Sequence, residues 1–377
     1  MRLLHICSDY SNQALYKQMI IHLQEENLEQ IVYVPVRKES EINKYNIETY
    51  KNIQIVYDHC LRKRHRFLFK MKIAHITNRI IAKIDFKKIE LIHGHFLFSD
   101  GAVALKIKQK LNIPYIVTVR NTDVNLFFKY MFHLRRKGIE ILLNADRIIF
   151  LTPAYVNEVI SKYIPTDLHE AIKMKISILP NGLNEYWIEN INERIVQKTD
   201  LLRILYVGDF TPNKNVLSII KCVEQLKDEG INIQLTLVGG GGSNSKTVMD
   251  RLKNCDKKTV QFHKSTSNKD DLLSYYRAND LFIMPSFKET FGIVYLEAMS
   301  QGLPILYSQG QGVDGYFAND PPGYAVNPYS IEDLKSKVLL AYNNIEILSA
   351  NSLIHIKGFS WPKIAEEYRN IYNSIVK

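Results

Sequence analysis

DLFIMPSFKETFGIVYLEAMSQGLPIL, residues 280–306, is the stretch from which the fold can be predicted. Its apolar run at 281–284 predicts a buried parallel strand. A loop follows, then a helical segment from Gly292 to Ser300 and a second strand at 304–307. Open sheets of parallel strands bind ligands beyond the carboxyl ends of the strands. The loop between the first strand and the helix is therefore the predicted ligand-binding region.

Two carboxylates, Glu289 and Glu297, flank the start of this predicted helix. The first amides of the helix, at Phe291, Gly292 and Ile293, have no partner within it and suit phosphate or sugar oxygens. Gly292 would allow a ligand to approach the backbone closely, and Glu297 could accept hydrogen bonds from a ribose diol. The structural alternative is that Glu289 caps the helix and Glu297 makes a surface ion pair.

The run E-T-F-G-I-V-x-L-E-A-M-x-x-G-x-P, which begins at Glu289, resembles the donor-binding motif of the retaining GT-B glycosyltransferases of family 4. Strands and helices alternate in both halves of the chain, which predicts an α/β fold with two doubly wound parallel sheets. The resemblance implies that these Rossmann-like domains face each other across a cleft. We expect an acceptor-binding domain at 1–185, a donor-binding domain at 200–360, and a terminal helix at 361–377 that crosses back to the first domain.

Further motifs of the second half fit a nucleotide-sugar site. A strand predicted at 202–207 is followed by Gly208. Lys214 then falls in the first turn of a predicted helix, where a cation is unfavourable for the helix but suited to a diphosphate. In the resembled family the turn at His263 lies against the nucleotide base. The family also places an arginine just after the glycine, and here Asp209 occupies that position, so one usual phosphate cation is missing.

The first half departs from the family at Arg120. The family has a histidine beside the reacting sugar after the strand predicted here at 114–119, and Arg120 stands in its place, while Asp123 matches the family's aspartate. Arginine cannot act as a base, but it supplies a fixed positive charge for a phosphate. We expect Glu289 and Arg120 to be catalytic, with Asn121 and Asp123 in the acceptor cleft. The alternative for Arg120 is a salt bridge with Asp123 that only shapes the turn.

Composition and charge limit the classes of function. The chain has 377 residues and a formal net charge of +10, which suits nucleic acid, an anionic membrane surface or anionic substrates. Neither zinc-finger spacing nor an RNP-like run is present, so nucleic acid is not an expected partner. The four cysteines form no C-x-x-C pair and indicate reduced thiols in the cytoplasm. The first residues do not resemble a signal peptide, and no stretch approaches the ~20 apolar residues of a spanning helix.

Two segments are both basic and aromatic, LRKRHRFLFKMKIAHITNRIIAKIDFKK at 61–88 and LFFKYMFHLRRK at 126–137. A helix in the first segment would bury an apolar face and expose a basic one. One interpretation is a domain helix with a solvated basic face. The other is attraction to anionic lipid headgroups, which makes an anionic membrane surface a candidate partner and places the protein peripherally on the inner face of the cell membrane.

His93 and His95 raise the question of a metal site, but H-x-H with no third ligand in view does not make one. We therefore expect no metal and no other cofactor. The predicted function is a metal-independent, retaining hexosyltransferase that moves a sugar from a nucleotide-sugar donor, with UDP the expected nucleotide. Its acceptor would be a glycan or a lipid-linked molecule in surface polysaccharide or glycolipid biosynthesis. Alternatives are a nucleotide-sugar epimerase or hydrolase of the same fold, or a non-catalytic GT-B subunit that binds a glycan or partner enzyme.

Overall fold

The computed structural model describes residues 1–317 and 319–376, and within it the chain divides into two compact units. The first unit contains residues 1–151, 155–182 and the segment from Trp361 onward. The second contains 152–154 and 183–360. The chain thus leaves the first unit after Gly182 and returns to it at Trp361.

The first unit is built on a parallel sheet of seven strands. The strands are β1 Arg2–Ile6, β2 Glu29–Val36, β3 Ile53–His59, β4 Leu91–Gly94, β5 Tyr115–Val119, β6 Arg147–Phe150 and β7 Ile176–Ile178. Their order is β3-β2-β1-β4-β5-β6-β7. The helices are α1 Ala14–His22, α2 Phe69–Lys83, α3 Asp100–Leu111, α4 Arg135–Asn144, α5 Pro153–Tyr163, α6 His169–Lys173 and, at the end of the chain, α14 Trp361–Asn373. The strand order reverses between β1 and β4, because β2 and β3 lie on one side of β1 and β4 to β7 lie on the other. Such a reversal leaves a crevice at the carboxyl edge of the sheet.

The central strands of this sheet are short apolar runs because helices cover both of their faces. All residues of β4 and β5 are buried. The helix α14 belongs to the same core, where Trp361, Tyr368 and Tyr372 pack in one cluster with Leu3 and other strand residues. A side chain at position 182 would collide with the Trp361 ring, since an added Cβ would lie 2.4 Å from it.

The second unit is built on a parallel sheet of six strands. The strands are β8 Leu202–Asp209, β9 Ile233–Gly240, β10 Val260–Lys264, β11 Leu281–Met284, β12 Ile305–Ser308 and β13 Gly323–Val326. Their order is β10-β9-β8-β11-β12-β13. The helices are α7 Glu185–Glu189, α8 Val216–Asp228, α9 Ser245–Leu252, α10 Lys269–Arg277, α11 Ile293–Ser300, α12 Ile331–Asn343 and α13 Ile345–Ile356. In this sheet the strand order reverses between β8 and β11, because β9 and β10 lie on one side of β8 and β11 to β13 lie on the other. The prediction of two doubly wound parallel sheets is confirmed.

The basic segment at 61–88 contains helix α2, whose apolar face is part of the first unit's core. Ile73, Ile76 and Ile80 are buried on that face, while Lys70 and several other charged side chains are exposed. This pattern fits the interpretation of α2 as a domain helix with a solvated basic face. Over the described parts of the chain, none of the helices combines the length and the apolar character that spanning a membrane requires.

Candidate functional site

The segments that follow β8 and β11 lie side by side at the carboxyl edge of the second sheet. The amide of Phe287 donates to the carbonyl oxygen of Asn213 at 2.8 Å. The side-chain amide of Asn213 donates to the carbonyl oxygen of Lys288 at 2.9 Å, and that of Asn215 to the carbonyl oxygen of Pro285 at 3.2 Å. The two loops therefore form one hydrogen-bonded platform at the point where the strand order diverges.

Lys214 and Glu289 form an ion pair on this platform. Lys214 Nζ lies 2.7 Å from Glu289 Oε2, and the two side chains are only 25% and 13% exposed. The other Glu289 carboxylate oxygen accepts the Thr290 amide at 3.0 Å. The Glu289 amide in turn donates to Gln311 Oε1 at 3.2 Å. The structure thus brings two predicted site residues into direct contact and fixes the rotamer of the carboxylate.

The predicted position of Lys214 in the first turn of a long helix is wrong. A separate 3-10 turn spans Pro212–Lys214, and α8 begins only at Val216. Asn215 separates them in a left-handed conformation, with φ of 57°, which asparagine tolerates better than most residues. Lys214 therefore lies just before the N-cap of α8 instead of inside its first turn.

The helix α11 begins at Ile293, one residue later than predicted, and Gly292 is its N-cap with φ of +83°. An added Cβ at this position would lie 2.4 Å from the Tyr295 ring. The left-handed backbone conformation and the neighbouring Tyr295 ring thus each require glycine at position 292. These two constraints explain the glycine without the predicted approach of a ligand. The Tyr295 hydroxyl donates to the carbonyl oxygen of Met284 at 2.7 Å. The start of α11 is therefore tied to the end of β11.

Glu297 is largely buried on the second turn of α11, and this position does not fit the alternative of a surface ion pair. The Tyr276 hydroxyl donates to Glu297 Oε2 at 3.0 Å. Burial raises the pKa of the Glu297 carboxyl to about 6, although the bond from Tyr276 and the charge of Lys269 act in the opposite direction. The Glu297 carboxylate is therefore ionised at neutral pH, and its burial in the ionised form makes folding less favourable.

The two other predicted donor-site residues, Gly208 and His263, lie on β8 and β10, the two strands on either side of β9. Gly208 is the register partner of Gly239 on β9, and an added Cβ at Gly239 would lie 2.1 Å from the carbonyl oxygen of Gly208. His263, near the end of β10, has its ring 4.8 Å from the ring of Tyr275. The His263 ring is thus packed against Tyr275.

In the first unit, Arg120 follows β5 and is almost completely buried, with 7% exposure. Its Nε donates to the carbonyl oxygen of His95 at 3.1 Å, and Nη1 donates to Asn181 Oδ1 at 3.4 Å. Its guanidinium carbon lies 4.9 Å from the centre of the Tyr16 ring, a distance at which cation–π attraction is appreciable. Arg120 is therefore a fixed cation held by several partners.

Asp123 binds backbone amides, so the alternative of a salt bridge with the Arg120 guanidinium does not describe its contacts. Its carboxylate accepts the amides of Leu97 at 3.0 Å, Phe98 at 3.1 Å and Arg120 at 3.0 Å. Burial raises the pKa of Asp123 to about 6, and these three bonds oppose the rise. The neighbouring Asn121 is exposed, and its side-chain oxygen accepts a hydrogen bond from the asparagine one turn later.

The expectation that His93 and His95 have no third ligand nearby is wrong, because His5 on the adjacent strand β1 supplies a third imidazole. Potential ligand atoms of the three residues lie within 4.8 Å of one another. His5 Nδ1 is 3.1 Å from His95 Nε2, and the nitrogens of His93 bond to Tyr372 and Thr118 at 2.9 Å. Burial lowers the pKa of His5 to about 3 and those of the other two well below 6.5. The three imidazoles are therefore neutral, and the hydrogen bond within the cluster joins His5 to His95.

Two family models match most of the chain. Residues 16–185 match "Glycosyltransferase Family 4", and residues 188–351 match "Glycosyl transferases group 1". An uncharacterised glycosyltransferase of Methanocaldococcus jannaschii is 27% identical over 343 residues, which cover 88% of each chain.

Solved structures share the fold along the full length of the chain. Sucrose-phosphate synthase from Thermosynechococcus elongatus superposes with a TM-score of 0.75 at 18% identity and covers 100% of this chain and 99% of the other. The Anabaena protein HepE in complex with UDP gives a TM-score of 0.69 at 13% identity, with 99% of both chains covered. With two parallel α/β units and these matches, the chain belongs to glycosyltransferase family 4 and has the GT-B fold.

Proposed function

We propose that this glycosyltransferase takes a hexose from a UDP-linked donor and transfers it, with retention at the anomeric carbon, to a glycan or lipid-linked acceptor. The observation that carries the proposal is the Lys214–Glu289 ion pair beside the start of α11, at the point where the strand order diverges. This arrangement combines a cation with free helix amides, which together suit a diphosphate. The HepE structure, which contains UDP, supports the choice of nucleotide.

The proposed chemistry centres on the leaving diphosphate, whose charge develops as the bond to the sugar breaks. Lys214 and the amides at Phe291–Ile293 bind this group, and Gly208 allows it to approach β8. Glu289 holds Lys214 in place and orients the donor sugar. Because a cation and amides stabilise the charge, we propose that transfer requires no metal ion.

The nucleoside would occupy the same carboxyl edge of the second sheet. Glu297 would accept hydrogen bonds from the ribose diol, for which its largely buried and ionised carboxylate is suited. His263 would lie against the base, since its ring is placed near the end of β10 by Tyr275. Arg120, Asn121 and Asp123 belong to the other unit, and we propose that they shape the acceptor side of the reaction.

Membrane association is a separate part of the proposal. The segments 61–88 and 126–137 would bind an anionic surface on the cytoplasmic side, with each basic residue near the surface contributing about 1 kcal/mol, screened by salt. Co-sedimentation with anionic and neutral vesicles at low and high salt tests this. We expect binding to anionic vesicles alone, reduced at high salt; equal binding to both types would refute the electrostatic mechanism.

A panel of nucleotide sugars tests the proposed reaction. In the absence of acceptor, the enzyme should slowly release free UDP from one UDP-sugar, with an unchanged rate in EDTA. With an acceptor present, NMR of the glycoside formed should show the anomeric configuration of the donor. UDP alone should raise the melting temperature. A chain that binds no nucleotide at all would instead be a non-catalytic GT-B subunit.

A further inference from the structure

A cavity of about 360 Å³ lies between the two basic and aromatic segments of the first unit. Its wall includes Arg37, which comes directly after β2, residues 65–67, which come after β3, and Lys72 of α2. The cavity therefore lies near the carboxyl edge of the first sheet. Its lining combines cationic with apolar side chains, chiefly Arg37, Arg66, Lys72, Phe67, Phe127 and Met131.

The cations of this cavity lie close enough to repel one another. Burial and then the charge of Arg66 lower the pKa of Arg37. Burial is also the main cause of the lowered pKa of Lys72, to which the charge of Arg37 adds. Their hydrogen bonds go to neutral acceptors: Lys72 Nζ to Ser99 Oγ at 3.1 Å, and Arg37 Nη1 to the carbonyl oxygen of Arg62 at 3.2 Å. A group of cations bonded to neutral oxygens attracts an anion, whose binding would relieve the repulsion.

Acidic groups offset only part of this positive charge. Glu41 accepts the backbone amide of Arg37 at 2.8 Å and raises the pKa of Arg37, but burial and the charge of Arg66 outweigh it. Asp100 at the start of α3 interacts electrostatically with Lys72, and it accepts the Ser8 amide at 3.2 Å. Burial raises the pKa of the Asp100 carboxyl to about 7, so it is only partly ionised at neutral pH. Much of the positive charge in the cavity is therefore left for a ligand to neutralise.

The remaining lining is apolar, and it continues onto an exposed surface. Phe67 is 86% exposed and Leu126 is 42% exposed at the cavity, and Phe132 on the following turn is 65% exposed. Exposed apolar side chains grouped at a cavity, as Phe67 and Leu126 are, mark a candidate binding surface. Phe127 and Met131 extend the same surface inward. The ligand that fits combines an anionic head with a hydrocarbon part.

We propose that this cavity binds the acceptor, and that the acceptor is an amphiphile carrying a phosphate ester. The phosphate binds Arg37, Arg66 and Lys72, and the hydrocarbon part packs on Phe67 and Phe127. Identification of this ligand as the acceptor rests on the proposed glycosyltransferase function. The cavity lies wholly within the first unit, whereas the proposed UDP site lies within the second, so binding to the two sites can be measured separately.

Titration calorimetry with decyl phosphate below its micellar concentration tests the proposal. Lys72→Gln and Arg66→Gln should each weaken binding about tenfold or more, because each removes a charge-assisted contact with the phosphate. Lys70→Gln and Arg64→Gln remove the same charges from the same local elements, outside the cavity lining, and should change binding less than about twofold. Arg66 and both control residues are exposed, so these variants should fold. Equal effects of the cavity and control variants would refute a specific phosphate site.

Two comparison ligands separate the parts of the proposed acceptor. Decyl glucoside has the hydrocarbon without the phosphate, and glucose 6-phosphate has the phosphate without the hydrocarbon; each should bind at least about tenfold more weakly than decyl phosphate. Glucose 6-phosphate that binds as tightly as decyl phosphate would overturn the amphiphile in favour of a soluble sugar phosphate.

UDP titrated into the same samples distinguishes failure of this inference from failure of the proposed function. UDP binding without decyl phosphate binding overturns the acceptor inference alone. Decyl phosphate binding without UDP binding overturns the identification of the ligand as an acceptor, together with the proposed function.

Discussion

Replacing Glu297 by glutamine should stabilise the second unit and weaken its binding of UDP. Burial raises the pKa of the carboxyl from 4.5 to about 6, which means that the ionised form is less favourable in the folded protein than in the unfolded chain. At about 1.4 kcal/mol per unit of pKa, this corresponds to about 2 kcal/mol. The sign follows from protonation: the destabilisation is absent below pH 4.5, grows between pH 4.5 and 6, and is complete above about pH 6.

Glutamine keeps the shape of the side chain and can still accept the hydrogen bond from Tyr276, but it carries no charge to bury. The Glu297→Gln variant should therefore unfold about 4–8 °C higher than the parent at pH 7.5, given the usual response of a unit of this size. At pH 4.5 the two melting temperatures should agree. UDP should bind about 10- to 100-fold more weakly, because a charged hydrogen bond to the ribose is worth roughly 1.5–3 kcal/mol.

Differential scanning fluorimetry at pH 4.5 and 7.5, with and without UDP, measures both effects, and calorimetry gives the affinities. Glu193→Gln is a matched control, because it removes the same charge from an exposed position of the same unit that lies outside any helix or strand. A Glu297→Gln variant that melts lower than the parent at pH 7.5 would refute the argument from burial. An unchanged affinity for UDP would remove Glu297 from the ribose site.

Three further predictions concern the platform and the buried arginine. Lys214→Gln and Glu289→Gln should each lower donor turnover at least about tenfold. A double-mutant cycle on the free energy of unfolding should give a coupling of about 0.5–3 kcal/mol between the two residues, and additive effects would contradict the observed ion pair. Gly292→Ala should destabilise the protein more than Gly230→Ala, because both positions have φ near +85° but only Gly292 faces a ring; equal melting temperatures would exclude the ring contact. Arg120→Ala should lower the melting temperature, since it leaves the His95 carbonyl unpaired; lost turnover at unchanged stability would indicate a direct catalytic contact instead.

The fold could be predicted from the sequence where neighbouring residues carry the information. The stretch at 280–306 contains a strand, a loop, a helix and a strand in a short span, and each boundary is indicated by its own residues. The assignment of Lys214 and Glu289 to one edge of the second sheet followed because parallel strands bring their carboxyl ends together. Their ion pair was not predicted, because it depends on β8 and β11 being neighbours in the sheet.

The features that could not be predicted depend on partners far away in the chain. Asn215 adopts its left-handed conformation where its side-chain amide reaches the carbonyl oxygens of Pro285 and Pro328. His5 joins His93 only because β1 and β4 are neighbours and the two residues are in register. Arg37 and Lys72 are brought to one cavity in the same way. Such contacts require the strand order and register, which periodicity does not give.

The return of the chain to the first unit at Trp361 has a consequence for synthesis on the ribosome. Apart from three residues, the second unit is one continuous segment, 183–360, so it can fold as soon as that segment has emerged. The first unit begins earlier but lacks Trp361, Tyr368 and Tyr372 of its core until the second unit has been synthesised. Of the two units, the one that begins first is therefore completed last, and a premature stop codon shortly before position 361 would leave an intact second unit attached to an unfinished first one.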